Sequence, residues 1–443
     1  MGKPRSARSV TSSGAKRNAG NTEQKAWKSN TKTKTRGKVG KAGKIGKIGK
    51  IANNDADFSE FVGMRSLTNP LWCYHGFQLA VVILTLFGVI MVFSSSSVTL
   101  ISNGQSPWNQ AIKQGIYCVA GIIVAIVAMC FPYNKYRQFS FPILLAAIGL
   151  QLLTLTPFGV EVNGNKGWIG IEGVFTMQPA EIVKLALCIW MPRELIDARK
   201  RVRKEGMAKA YSKLALGYLC SLGFVMLGKD LGTGLIVLAI GAIALFLGEF
   251  PGKWLLALGG LGVAGVGGLV ITSPNRLNRI LATYQTCSAS DLQGVCYQAV
   301  HGKYAIASGG LLGVGIGNSG EKWGYLPEAH NDFIFAIIGE ETGFVGAAMV
   351  ILLFMVLGWC MFVVALQARN RYITIVISCI AVWIVGQAFI NIGVVVGLFP
   401  VMGVPMPFVS AGGSSLIMCL AAAGVVISMM RGQPQIQAET RRL

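Results

Sequence analysis

The sequence predicts an all-α polytopic membrane protein of about ten transmembrane helices, and three observations predict it. Of its 443 residues 53% are hydrophobic and only 13% charged, which is not the composition of soluble domains. Mean hydropathy is +0.55. Long apolar runs recur with short polar joints, each near the ~20 residues that cross the hydrocarbon of a bilayer. This excludes a soluble enzyme with one buried core. A transmembrane barrel is excluded too, because its alternating pattern would dilute the runs.

The chain opens with a segment of another kind, expected to be a disordered basic cytoplasmic tail over 1–70. Residues 1–60 hold 15 Lys or Arg against 4 acids, with a Lys-Gly register through Lys38, Lys41, Lys44, Lys47 and Lys50 and no apolar core. No apolar stretch of the signal-peptide kind follows the charges. In a membrane protein, anionic headgroups or acidic partners are the favoured targets of such a tail over nucleic acid. A solvated leader is the plainer alternative.

The membrane domain follows over 71–431, with a short C-terminal tail at 432–443. Run length and end signals place helices near 76–96, 111–131, 139–157, 176–192, 213–228, 231–248, 254–272, 334–364, 373–397 and 411–430. With the tail inside, the cytoplasmic joints are richer in Lys and Arg than the exterior ones, and both termini are cytoplasmic. Two joints are long: 158–175, and the exterior loop 273–333 between helices 7 and 8. The second is too apolar and turn-rich for a solvated linker and is expected to fold back against the bundle.

Ionisable groups within hydrocarbon are costly, so each is a functional candidate. Glu181 and Lys184 lie three apart on one face of the fourth helix, where they neutralise each other as a working or a structural pair. Asp230, before Leu231-Gly232-Thr233, is a functional acid or a helix cap. Asp332 follows His330 and Asn331 and stands where loop becomes helix. There it either caps the helix or acts as a general base whose pKa low polarity raises. Glu340 and Glu341 line the same cavity or bond neighbouring helix ends. Ser410-Ala-Gly-Gly-Ser-Ser415, introduced by Pro400, Pro405 and Pro407, presents backbone amides to an anion or is a cap with close packing, the second slightly ahead. The glycines of 309–317 permit tight turns and lack the strand and the Gly-Lys-Ser/Thr of a nucleotide loop. His75, His301 and His330 have no metal-ligand spacing. Eight cysteines lie in or beside apolar segments, whereas Cys287 and Cys296 share a polar loop and form a disulfide if it faces an oxidising compartment.

From about residue 72 to 431 the ordered motifs resemble the SEDS family (shape, elongation, division and sporulation) of RodA/FtsW/SpoVE proteins. The segments are Val162–Ile169, Gln178–Leu185, Asp230–Thr233, Ser308–Asn318, Leu326–Ala336 and Pro407–Ser415. The Leu-Pro-Glu-Ala-His form before Asn331-Asp332 looks more like the division branch, FtsW, than the elongation branch. The resemblance implies a SEDS-type fold and a peptidoglycan glycosyltransferase polymerising lipid II outside the cytoplasmic membrane during septal synthesis. A class B penicillin-binding protein and other division proteins are the implied partners. Asp332 matches the family's essential exterior-loop aspartate, Glu181 and Lys184 its paired cavity residues, and Asp230 its Asp-Leu-Gly-Thr acid. Lys166 and Trp168, Glu328 and His330, and Ser410, Gly412, Gly413 and Ser414 belong to the matched motifs as substrate-binding or cavity-supporting positions. Departures are Lys166-Gly167 where two basic residues commonly precede the tryptophan, Gly228-Lys229 in place of Gln-Pro, and Ala411 in place of Tyr. The Cys287–Cys296 stretch looks like a local insertion. A divalent cation, Mg or Mn, is a possible aid, with no organic cofactor and no nucleic acid. The expected chemistry is one inverting displacement with Asp332 as base; a lipid II flippase and a non-catalytic division scaffold are the rivals.

Overall fold

The apolar runs become helices in the structure, a computed structural model that describes residues 67–284 and 294–440 apart from 163–164, 172–174 and 295. The basic tail through residue 66 and Cys287 lie outside the described residues. The long helices are α1 (Pro70–Ser102), α2 (Asn109–Cys130), α3 (Tyr133–Leu153), α4 (Pro179–Glu205), α5 (Met207–Leu227), α6 (Leu231–Leu247) and α7 (Gly252–Ile271). Two shorter helices, α8 (Pro274–Tyr284) and α9 (Tyr297–Gly309), lie in the long loop. Then come α10 (Ile334–Gln367), α11 (Arg371–Ala381) joined through a π-helical turn (Val382–Gly386) to α12 (Gln387–Val395), α13 (Gly413–Met430) and a last short helix, α14 (Pro434–Thr440). Among the described residues eight spans are long and apolar enough to cross a bilayer. Two further helices complete the expected ten: α6, with 17 residues, and α4, whose first turns carry Glu181 and Lys184.

The core lies along α4, α11–α12 and α13, whose side chains are buried on nearly every face, while α7 buries none. Small residues set the spacing. A Cβ on Gly424 would lie 2.4 Å from the carbonyl oxygen of Ala125, so α13 and α2 meet backbone to backbone.

Three segments differ from expectation. Residues 158–175, read as loop, hold a small antiparallel sheet, β1 (Gly159–Val162), β2 (Asn165–Ile171) and β3 (Phe175–Met177), paired in chain order. Val160 faces Trp168 and Gly170 faces Thr176. Residues with strand preference such as Val160, Trp168, Ile169 and Thr176 form it, and its strands are too short to stand out as an alternating run. The joint expected at 193–212 is instead the continuation of α4 to Glu205, and Gly206, at φ 77°, turns directly into α5. Ion pairs along the helix surface carry α4 onward: Arg193 and Lys200 with Asp197 at 4.0 and 3.8 Å, and Arg201 with Glu194.

The third is a break inside α10. Gly343 has φ 67° and ψ −168°, so the ladder is interrupted there. The carbonyls of Glu340 and Glu341 accept hydrogen bonds from the amides of Val314 and Gly315, both at 3.0 Å, instead of from their own helix. Across the gap the amides of Phe344 and Val345 donate to the carbonyls of Gly310 (2.9 Å) and Leu311 (3.2 Å). The glycine-rich loop thus satisfies the backbone groups that the break releases, as non-helical backbone at membrane depth requires. A Cβ on Gly313 would lie 2.2 Å from the Glu341 carbonyl oxygen, so that position takes no side chain. The fold-back expected of the long loop is therefore a plug in a broken helix.

Candidate active site

Four helices, α4, α6, α10 and α13, begin at one face of the bundle, and their starts are tied together. Gln178, the N-cap of α4, donates from Nε2 to Asp230 Oδ2 at 2.8 Å, and its amide donates to Ser414 Oγ at 3.2 Å. Asp230 Oδ1 in turn accepts from the Thr233 amide at 2.9 Å, which makes it the N-cap of α6. Both oxygens of this acid are committed. Ser410 Oγ donates to the Asn331 carbonyl (2.7 Å), and the Ala411 amide to the His330 carbonyl (2.9 Å), which fastens the approach to α13 to the approach to α10. Four converging N-termini give this face a positive potential suited to an anion.

Asp332 sits in that ring. Its backbone is held: Asn391 Nδ2, on α12, donates to the Asp332 carbonyl and to the Val404 carbonyl, both at 2.8 Å. Glu328, at φ 55°, closes the turn before it by accepting on its carbonyl from Asn331 (3.0 Å) and Phe333 (3.3 Å). Its Oε2 accepts from Asn331 Nδ2 at 2.6 Å. The Asp332 carboxylate, by contrast, receives no hydrogen bond among the described residues. Nor does it cap α10, whose N-cap is Phe333 with no side-chain bond. The strap 396–412 passes close by, where a Cβ on Gly403 would come within 3.5 Å of Asp332 Oδ2. Burial pushes the carboxyl up to about 7, Glu328 and Asp230 reinforce the rise, and Arg279 on α8 opposes it. His330 is moved the other way, its pKa lowered by burial and raised in part by Glu328.

Beneath this mouth Lys184 Nζ donates to Glu181 Oε1 (2.8 Å) and Gln387 Oε1 (3.0 Å), and lies 5.0 Å from the Trp383 ring centroid. Gln387 Nε2 donates to the Pro405 carbonyl at 2.8 Å, so the buried pair braces the strap. Glu181 Oε2 and Asn391 Oδ1 are buried without a partner among the described residues. Such atoms are costly unless a ligand or water reaches them.

The remaining sequence candidates fall into place around this centre. Lys166 and Trp168 lie on β2, which docks on the turn before Asp230 through a bond from the Lys166 amide to the Gly228 carbonyl (3.1 Å). The Lys166 ammonium is exposed, 3.9 Å from Glu161, and no second basic residue stands beside it on β2. In the Ser410 segment the amides of Ser410, Ala411 and Gly412 already donate to the Met406 carbonyl, the His330 carbonyl and Gln114 Oε1. The segment is a brace, and Gly413 lets α13 start against the Tyr117 ring, where a Cβ would come within 2.6 Å. Glu340 and Glu341 do not face Asp332; they bond the plug loop, Glu341 accepting from Lys322 Nζ at 2.9 Å and from Ser94 Oγ at 2.7 Å. Cys296 is disulfide-bonded, and eight other described cysteines are free thiols. Arg279, Gln387 and Asn391 were not among the sequence candidates, and Gln178 stood in a matched motif without a role. A signal existed for two of them, since Gln387 and Asn391 are polar residues four apart within an apolar run.

Residues 75–434 match the profile of the cell cycle protein family that groups FtsW, RodA and SpoVE. The chain is 35% identical over 361 residues to stage V sporulation protein E of Bacillus subtilis, covering 80% of this chain and 97% of that one. It is 33% identical over 380 residues to the probable peptidoglycan glycosyltransferase FtsW of Mycobacterium tuberculosis, covering 85% and 71%. Among solved structures it is similar to the rod shape determining protein RodA of Thermus thermophilus, with a TM-score of 0.60 at 25% identity over 82% of this chain and 97% of the other. A chain from a study of how a peptidoglycan synthase complex coordinates polymerization and crosslinking gives a TM-score of 0.64 at 25% identity, over 81% and 98%.

Proposed function

The chain belongs to the cell cycle protein family of FtsW, RodA and SpoVE, and from that premise we propose a peptidoglycan glycosyltransferase that polymerises lipid II at the outer face of the cytoplasmic membrane. In this reading the Asp332 face is exterior, both termini are cytoplasmic, the site of action is the division septum, and a class B penicillin-binding protein crosslinks the product. One observation carries the chemistry: the Asp332 carboxylate is held by its backbone, uncommitted at its oxygens and pushed up to about 7. A carboxylate with these properties is a general base matched to neutral pH.

The Asp332 carboxylate takes the proton of the acceptor sugar's 4-hydroxyl as that oxygen attacks the donor's anomeric carbon opposite the diphosphate. One displacement inverts the centre and requires no protein nucleophile. Negative charge grows on the departing diphosphate, where Arg279 and the starts of α4, α6, α10 and α13 offset it. Lys184 is less suited to that task, because Glu181 and Gln387 hold it. No three His, Cys, Asp or Glu side chains gather into a metal-binding group among the described residues. A divalent cation taking part in the reaction would therefore be held mainly by the substrate's diphosphate, with one or two protein carboxylates at most.

The test is polymerisation of labelled lipid II by the purified chain with a penicillin-binding partner, comparing wild type with Asp332→Asn on a glycan-ladder gel. Loss of the ladder by ~10²–10⁴-fold, the usual contribution of a positioned base, with partner binding intact, supports the reading. Equal ladders remove Asp332 as the base.

A further inference from the structure

A groove of about 560 Å³ opens at the face opposite Asp332, between α1, α2 and α13. We propose that it is a binding site for one anionic glycerophospholipid of the leaflet on that side, with the acyl chain in the groove and the phosphate at Arg431.

The groove exists because α2 and α13 meet backbone to backbone at Gly424 and Ala125, which leaves a trough where α1 lies alongside. Its volume falls within the ~300–1,000 Å³ of ordinary ligand sites. Its length fits a lipid tail. It is lined from Leu71 to Val82 on α1 and from Leu420 to Arg431 on α13, about 16 Å on each helix at a rise of 1.5 Å per residue. One leaflet contributes about half of a ~30 Å hydrocarbon core. Its chemistry is graded along that length. Of the polar lining side chains, Tyr74, His75 and Arg431 stand near the helix ends and Gln78 lies a turn further along α1, whereas beyond it the walls are apolar, as at Val82, Ile126 and Leu420.

The headgroup end is shaped for an anion. Arg431 Nε donates to Tyr74 Oη at 2.9 Å, which fixes the plane of the guanidinium at the lip. No described carboxylate pairs with Arg431, so its two terminal nitrogens remain for phosphate oxygens, which a guanidinium binds in a fork. A free phosphate would leave the apolar trough unfilled, and a zwitterionic lipid would bring its own cation beside Arg431. The graded lining and the lone guanidinium together favour an anionic phospholipid.

The test is native mass spectrometry of the full chain, delipidated in detergent and titrated with phosphatidylglycerol or phosphatidylcholine of identical chains. One phosphatidylglycerol is expected to bind at roughly tenfold lower concentration than phosphatidylcholine, a difference of about 1.4 kcal/mol. Arg431→Gln should erase that preference and Arg431→Lys keep part of it. Val82→Trp, at a position 52% exposed where the fold tolerates bulk, should remove the bound lipid without altering charge. Asp332→Asn should leave binding unchanged, so failure of the catalytic reading would not touch this one. Equal binding of the two lipids by wild type, or a preference unaltered by both Arg431→Gln and Val82→Trp, would mean ordinary annular lipid and overturn the proposal. Displacement of phosphatidylglycerol by an equal concentration of polyprenyl phosphate would overturn the assignment to a glycerophospholipid. If Arg431→Gln does not fold, as judged by melting, Val82→Trp alone decides.

Discussion

Asp332 and Glu341 are carboxylates nine residues apart, one just before α10 and one about two turns into it, yet their surroundings are opposite. Glu341 accepts from Lys322 Nζ and Ser94 Oγ, and its neighbour Glu340 accepts from Ser319 Oγ and from the Gly320 amide at 2.9 Å. Asp332 receives nothing at its oxygens from the described residues and is pushed up to about 7. The difference shows what an acid largely withdrawn from water is for. Fully satisfied, it fixes backbone, here the plug in the broken helix; left unsatisfied but held through its main chain, it stays free to exchange a proton.

The largest effects should separate these two roles. Glu341→Leu leaves Lys322 buried without its partner and should cost about 3–5 kcal/mol, read as loss of folded protein on melting in detergent. Adding Lys322→Met should restore most of that loss, since the two residues are coupled. Asp332→Asn should do the reverse, removing activity while the fold survives. Its effect on stability has a definite sign. The folded carboxyl titrates near 7 against an ordinary 3.8, so between these values the folded state holds the proton that the unfolded state has released. Stability therefore falls as pH rises through that window and stays lower above it. The melting advantage of Asp332→Asn should be larger at pH 8 than at pH 5; an advantage that shrinks with pH would contradict the burial described here.

A smaller effect is expected where the supports of Asp332 are cut. Asn391→Ala frees the carbonyls of Asp332 and Val404, and misplacement of a reacting group by about 1 Å can cost up to ~10²-fold. The loss should fall on kcat with KM little changed, and Asn391→Asp should not rescue it because it brings no amide donor. Smallest of all, Asp230→Ala should cost about 1 kcal/mol as a lost helix cap, measured by melting, against no comparable loss of stability from Asp332→Asn.

The sequence made much of this legible, and the reasons are specific. Apolar runs of membrane length marked the helices, the three-residue spacing of Glu181 and Lys184 put their pair on one face, and the loop-to-helix position of Asp332 marked it out. The plug was hidden because Gly343 lies inside one long apolar run, interrupted only by Glu340, Glu341 and Thr342 just before it, and hydropathy does not register a single left-handed residue. Asp230 and Asp332 both stand just before helices, so spacing alone offered cap and base for each. Only the partners tell them apart: the Thr233 amide and Gln178 occupy Asp230, and the second of these is 52 residues away, where no local pattern relates it to the acid. The bracing by Gln387 and Asn391 depends on carbonyls of the strap 13 to 18 residues away, which no helical period relates to them.

The central claim is that the free carboxylate of Asp332 is the base, and the pH dependence of kcat/KM for lipid II polymerisation tests it most directly. Activity should rise with pH through a midpoint near 7, because the base works only when deprotonated. Arg279→Gln should move the midpoint upward and Glu328→Gln downward, following the charges that act on Asp332. A midpoint unmoved by either substitution, or a profile flat from pH 5 to 9, would contradict the claim.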